Sequence, residues 1–200
     1  VNLVCGTRMF SRLPELLDEI SESNKHVLAI DEDGEVNFDR MVTQRQNRYN
    51  AFVSIMRGCD NYCSYCIVPY VRGREFSRTV TDIVDEVKKL ADDGCKEITL
   101  LGQNVNSYGK GLNGQVTLAT LLRELDPING IERIHFITSH PKDMTREIME
   151  AVGELSRVCE YLHMPAQSGS DRILKKMKRQ YTSAHYRELV EMAKSTVPGI

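Results

Sequence analysis

No stretch of the sequence approaches the ~20 consecutive apolar residues that a bilayer-spanning helix requires. No large excess of one charge is present either: 26 Lys and Arg stand against 28 Asp and Glu, a net charge of −2. That balance excludes a uniformly basic nucleic-acid binder and leaves room for a local basic patch. Tryptophan is absent. Repeats of roughly 20–50 residues and low-complexity tracts are also missing, which excludes a solenoid. Val1-Asn2-Leu3-Val4 has no basic flank and no cleavage pattern, so the start does not read as a signal peptide. What is present is an ordinary globular composition, 41% apolar and 27% charged, in 200 residues. That suits one large domain or two small ones. Both ends read as cuts. Val1 lies in an apolar run without an initiator Met, and Pro198-Gly199-Ile200 is a turn signal followed by an apolar residue.

Residues 1–38 read as a small αβ unit. Leu13, Leu16, Leu17 and Ile20 have helical spacing, with Ser11 as expected N-cap and Pro14 in the first turn. His26 to Ile30 is a strand candidate, and Asp31-Glu32-Asp33-Gly34 an acidic turn. The polar, unperiodic residues 39–50 read as a linker. From residue 51 strand and helix patterns alternate. Strands are expected at 52–56, 97–101, 133–138 and 160–164. Helices are expected after Thr79 or Thr81, over 118–125, over 144–155, after Ser170, and over 183–195. Such alternation predicts right-handed crossovers and a parallel sheet, either an open α/β sheet or a truncated barrel. Ligands then belong at the carboxyl ends of the strands.

Three of the six cysteines fall within eight residues, as Cys59-Asp-Asn-Tyr-Cys63-Ser-Tyr-Cys66. The clustering points to metal and a reducing compartment rather than to disulfides. Three thiolates on one loop can hold three irons of a cubane and leave the fourth open to a small chelating molecule. A zinc site is the alternative, its fourth ligand coming from Cys95, Cys159 or a His. C-x3-C-x2-C with Tyr65 before the last Cys resembles the radical S-adenosylmethionine enzymes. The longer string from Ile55 to Arg78 resembles the methylthiotransferases among them, and most of all the tRNA-2-methylthio-N(6)-dimethylallyladenosine synthases, the MiaB family. Leu100–Gly109, Ser139-His140-Pro141 and His163–Ser170 extend the likeness over nearly the whole chain.

This resemblance implies an α/β fold: a partial radical-SAM β/α barrel of parallel strands over 51–200, preceded by the tail of an N-terminal αβ domain in 1–38. It implies that Cys59, Cys63 and Cys66 hold a 4Fe-4S cluster whose open iron chelates S-adenosylmethionine, and that a methylthio group is added at carbon 2 of a modified adenosine beside the tRNA anticodon. A methylthiotransferase for another target (threonylcarbamoyladenosine in tRNA or a ribosomal-protein aspartate) and a non-catalytic zinc RNA-binding module are the rival readings. An auxiliary cluster is expected upstream of Val1, and the last barrel strands and a TRAM domain beyond Ile200. An electron donor such as flavodoxin or ferredoxin, a cytoplasmic location and no membrane complete the expectation.

For the cofactor, the expected contacts are Tyr65, Gly102, Gln103, Ser139 and Gln167, which flank the cluster loop or end the strands. Each has a bland counterpart, Tyr65 as a core aromatic and Gly102 as an ordinary strand-end turn. His140 is read as ordering or contacting substrate, and His163 as a hydrogen-bonded interior residue. Cys95 and Cys159 read as small buried hydrophobes, and Cys5 is not taken as a ligand. Between residues 40 and 78 there are Arg40, Arg45, Arg48, Arg57, Arg72, Arg74 and Arg78 and no Lys, opposed only by Asp60 and Glu75. With Tyr49, Tyr62 and Tyr70 nearby, Arg72, Arg74 and Arg78 are candidate contacts for a single-stranded anticodon loop. The second basic run, Arg172, Lys175, Lys176, Lys178 and Arg179, reads as a solvated helix face.

Overall fold

The structure, a computed structural model, describes residues 1–23, 26–30 and 47–200. The chain forms two compact units, Val1–Gln46 and Asn47–Ile200. The acidic turn at 31–34 and all but the last four residues of the expected linker lie outside the described residues. Among the described residues no helix is long and apolar enough to cross a membrane.

In the first unit, strand β1 (Leu3–Cys5) pairs in parallel with β2 (Val27–Ala29), in the register Leu3 to Val27. The crossover runs through a 3-10 turn, Thr7–Arg12, into helix α1 (Leu13–Ser23). Ser11 therefore falls inside this turn, with α1 beginning two residues later at Leu13. Met9, Leu16 and Ala29 form the small core, while Leu13 and Leu17 stay exposed.

The second unit is built on a parallel sheet. Strand β3 (Asn50–Ser54) begins inside what reads as linker, because Tyr49 O already accepts from the Lys96 and Glu97 amides. A short antiparallel ribbon follows, β4 (Met56–Arg57) with β5 (Phe76–Ser77), and encloses the cysteine loop and helix α2 (Val68–Val71). Helix α3 (Val80–Asp92) starts at Thr79, whose hydroxyl accepts from the Asp82 amide; Thr81 is not the cap. Strand β6 (Glu97–Leu101) leads to α4 (Leu118–Leu125), entered through a capping box of Thr117 and Thr120. Strand β7 (Arg133–Phe136) leads to α5 (Arg146–Glu154), capped by Thr145. The chain ends with α6 (Asp171–Lys176) and α7 (Ser183–Thr196).

The sheet order is β3-β6-β7, all parallel. Its helix-covered face buries Ala51, Val53, Ile98, Leu100, Ile134 and Phe136 against the apolar faces of α3, α4 and α5. The other face carries Phe52, Thr99 and His135 side by side in register and stays partly open, with Phe52 72% exposed. A sheet with helices on one face only is the geometry of a barrel wall rather than of a doubly wound sheet.

The expected strand at 160–164 does not form. A single parallel bridge joins Ile134 to Val158, and the ladder then breaks, with one later backbone bond from Ser139 N–H to His163 O (3.1 Å). Thr138 N–H, which would continue the ladder, instead donates to the His163 ring at Nδ1 (2.9 Å). Thr138 is itself left-handed, with φ 67°, so β7 ends at Phe136 and not at 138.

Candidate functional site

The cysteine loop leaves β4 at Gly58. With φ +78°, this residue is in the left-handed region, and a Cβ here would lie 2.0 Å from Arg74 O. Only glycine lets the loop pass so close to the returning chain. Gly58 N–H donates to Gln103 Oε1 (2.7 Å), and Cys59 N–H to Gly73 O (3.2 Å). Cys66 N–H closes a turn on Cys63 O, and Ser64 N–H reaches Met177 O (3.2 Å). Cys59 and Cys63 are buried and Cys66 is partly exposed; none is in a disulfide. Burial, with Glu75 nearby, pushes the Cys59 thiol up, while Asn61 opposes the shift.

The carboxyl ends of the strands converge on this loop. Gly102 follows β6, where a Cβ would meet Met56 Cγ at 2.4 Å, so its glycine serves packing against the loop's base. Thr138 Oγ1 donates to Gly102 O (2.7 Å), tying the ends of β6 and β7. Asn104 Nδ2 donates to Asp143 (2.7 Å), and Lys142 Nζ to Asn61 Oδ1 in the cysteine loop. Asn106 clamps the backbone of His140 from both sides, accepting from its N–H (2.9 Å) and donating to its carbonyl (2.8 Å). His140 Nδ1 accepts from the Lys142 N–H (3.1 Å), which leaves the proton on Nε2. Burial, reinforced by the Arg179 charge, lowers its pKa to about 4. Asn104 Oδ1, Ser139 Oγ and His140 Nε2 are buried and have no hydrogen-bond partner among the described residues.

Arg179 completes the rim. It is 5% exposed, and its Nη1 donates to Cys63 Sγ (3.1 Å) and to Tyr65 Oη (3.2 Å). The reading of residues 172–179 as a solvated face is thus corrected at Arg179, while Arg172, Lys175, Lys176 and Lys178 are exposed as expected. Among the described residues, the non-glycine residues with left-handed backbone are Tyr62, Thr138, Gln167, Lys178 and Gln180, all on segments of this site.

Of the sequence candidates, Cys59, Cys63, Cys66, Tyr65, Gly102, Gln103 and Ser139 come together here. The Gln103 carbonyl oxygen is taken up by Gly58, so this residue braces the loop. Tyr65 is 55% exposed, which excludes a core aromatic. Gln167 is exposed. Arg72 and Arg74 are exposed on the loop's outer side, Arg74 facing Asp60 at 3.5 Å. Arg78 is not available to a nucleic acid: it is 8% exposed and held by Glu86 (2.5 Å) and Ser54 O (2.7 Å). Tyr62 and Tyr70 pack edge to face with ring centroids 5.8 Å apart and remain exposed. Arg40 and Arg45 lie outside the described residues. Cys95 is buried as expected, and Cys159 only partly so, beside His135 Nε2 (3.4 Å). Sequence reasoning missed Asn61, which lies in the cysteine loop itself, and Asn106, Lys142 and Arg179, which carry no spacing signal and are brought in by tertiary packing.

Residues 53–199 match the model of the Radical SAM superfamily. The chain belongs to that superfamily. Over its full length it is 50% identical to the tRNA-2-methylthio-N(6)-dimethylallyladenosine synthase of Thermoanaerobacter pseudethanolicus and 51% identical to that of Clostridioides difficile. The like-named protein of Clostridium botulinum is 48% identical. The chain spans 42–44% of the length of these relatives. Among solved structures, the radical S-adenosylmethionine methyltransferase TsrM of Kitasatospora setae, with tryptophan and a SAM analog bound, superposes with a TM-score of 0.67 at 17% identity. That match covers 96% of this chain and 43% of TsrM. The cobalamin-dependent radical enzyme OxsB gives 0.62 at 17% identity, covering 92% and 30%. Both likenesses concern the fold.

Superfamily membership implies a 4Fe-4S cluster and S-adenosylmethionine, and the radical SAM site fits them. Three free thiols sit on one braced loop, beside buried polar atoms that lack partners. Among the described residues no three His, Cys, Asp or Glu side chains converge as ligands of one metal ion.

Proposed function

We propose that the chain is the central part of a tRNA methylthiotransferase that adds a methylthio group at carbon 2 of N(6)-dimethylallyladenosine beside the anticodon. The observation that carries this reading is identity near one half over all 200 residues with synthases of that name. Residues 1–38 would end an N-terminal domain bearing an auxiliary cluster, and 51–200 would be most of the catalytic core, with a TRAM domain following. Cys59, Cys63 and Cys66 would hold the 4Fe-4S cluster, which when bound supplies the electron that cleaves S-adenosylmethionine.

The chain's own residues position and shield. Gly58 and Gln103 fix the loop. Asn104, Ser139 and the Nε2–H of His140 offer buried polar contacts to cofactor or substrate. Arg72 and Arg74, with Tyr62 and Tyr70, form a cationic and aromatic outer face suited to phosphates and unstacked bases. A flavodoxin or ferredoxin as electron donor and a cytoplasmic location belong to the same reading.

Anaerobic reconstitution with iron and sulfide tests the site: about four irons per chain and an EPR spectrum that shifts on adding S-adenosylmethionine are expected. Cys66→Ala should abolish that shift. Nucleoside mass analysis of tRNA treated with the full-length protein tests the reaction. Methylthiolated dimethylallyladenosine is the expected product, and a modified threonylcarbamoyladenosine instead would reassign the substrate. Iron-free protein with one tight zinc would sink the reading altogether.

A further inference from the structure

Arg179 holds a permanent charge in a place where charge is costly. Burying a guanidinium without an anion costs several kcal/mol, yet among the described residues no carboxylate forms an ion pair with it. Its neighbours are the sulfur of Cys63, the hydroxyl of Tyr65 and the ring of Tyr181, whose centroid lies 5.6 Å from Cζ. Nε is buried without a hydrogen-bond partner.

The backbone is bent to put it there. Lys178 (φ 56°) and Gln180 (φ 60°) flank Arg179, both left-handed and neither glycine. Each such residue costs on the order of 1 kcal/mol or more and persists only where the surroundings over-determine it. The surroundings here are Arg179 N–H on Leu174 O (3.0 Å), Ser64 N–H on Met177 O (3.2 Å) and Tyr181 Oη on Ala166 O (2.6 Å). Residues 177–181 thus act as a brace across the cysteine loop, with one guanidinium at its tip.

We propose that Arg179 is a positioning residue that raises the reduction potential of the cluster held by Cys59, Cys63 and Cys66. The proposal rests on the cluster-binding reading of those cysteines. A thiolate that receives a hydrogen bond from a cation donates less electron density to its iron. One added electron makes the whole assembly more negative, so a fixed positive charge stabilises the reduced form more than the oxidised one. Water exclusion around a 5%-exposed residue strengthens the effect. Arginine suits the task because its planar fork never loses its proton. Tyr65 takes a bond from the same nitrogen that reaches Cys63 and keeps the fork aimed.

The test compares the parent chain with Arg179→Met, Arg179→Gln and Arg179→Lys after anaerobic reconstitution with iron and sulfide. Iron content is measured first. The midpoint potential then follows from an EPR-monitored titration with dithionite, without S-adenosylmethionine or RNA. Arg179→Met is expected to lower the ratio of reduced to oxidised cluster at a given poise by roughly tenfold, ~59 mV for a one-electron couple. Arg179→Lys should recover part of that loss. If Arg179→Met takes up no iron, Arg179→Gln supplies the neutral comparison. Neutral variants that keep the parent's potential overturn the proposal. A parent that binds no iron overturns the cluster reading itself, and this is seen before any variant is compared.

Discussion

His140 shows how a single ring can be set by its surroundings. The backbone N–H of Lys142 occupies Nδ1, so a second proton can add only by breaking that bond. Burial lowers the pKa to about 4; Arg179, Lys142 and Lys110 oppose protonation and Asp143 favours it. The unfolded chain takes up this proton near the ordinary value of about 6.5, before the folded one does. The stabilisation is therefore complete above that pH and is lost as pH falls from about 6.5 through 4, up to roughly 3 kcal/mol. His140→Asn should remove most of that acid-side loss. Urea unfolding of both proteins at pH 7 and pH 4.5 checks it, and equal losses in both would refute the assignment. The sequence placed His140 at a strand end, where ligands collect, but could not say which nitrogen carries the proton. That depends on an amide two residues on and on a clamp from Asn106, 34 positions away.

Among the elements, the cysteine loop depends on its glycine hinge. Gly58→Ala would combine a left-handed backbone with a clash at 2.0 Å from Arg74 O. Gly114 is also left-handed (φ +87°) but has nothing within 4 Å. Gly114→Ala should thus cost only backbone strain, about 1 kcal/mol, and leave iron uptake intact. Gly58→Ala should cost more and reduce iron uptake several-fold. Thermal unfolding and iron analysis of the pair distinguish the two, and equal behaviour would show that the loop does not need its hinge. Helices α3 and α4 were legible because each repeats apolar residues at helical spacing, although the sequence could not choose between Thr79 and Thr81 as the cap of α3 and did not single out Thr117 for α4. The β4–β5 ribbon was not, since two-residue strands have no period to read. Nor was the loss of the strand at 160–164, where a histidine side chain takes the amide that a neighbouring carbonyl would have accepted.

Across the whole second unit, charge and burial separate arginines that look alike in the sequence. Arg72 and Arg74 are exposed, whereas Arg78 is locked inside an ion pair with Glu86. Replacing Arg72 and Arg74 by Gln in the full-length protein should weaken binding of an anticodon stem-loop and reduce the salt dependence by about one unit of slope for each phosphate that is no longer neutralised. Arg78→Gln should leave that slope unchanged and lower stability by ~1–2 kcal/mol, because the Glu86 it strands is 35% exposed and partly solvated. Fluorescence anisotropy over a salt series, beside urea unfolding, reads both, and an unchanged slope in the double variant would take the nucleic acid off this face. The parallel sheet was legible from alternating strands and helices. The open face along Phe52, Thr99 and His135 was not, because exposure of an apolar strand residue is decided by layers that periodicity does not count.

Among the described residues, the five left-handed residues that are not glycine give the second unit a mechanical polarity. Tyr62, Thr138, Gln167, Lys178 and Gln180 gather on the segments around one rim, while the described helices and the three-stranded sheet behind them contain none. Random substitution is therefore asymmetric in its effect. Drift toward glycine at these positions relieves backbone strain, yet at Thr138 it removes the hydroxyl bond to Gly102 O and at Tyr62 the ring contact with Tyr70, and it loosens the frame that aims Arg179 and ends β7. The strain is thus concentrated at the mouth of the site and absent from the scaffold that carries it, so the rim is the part that any loosening of those contacts would release first.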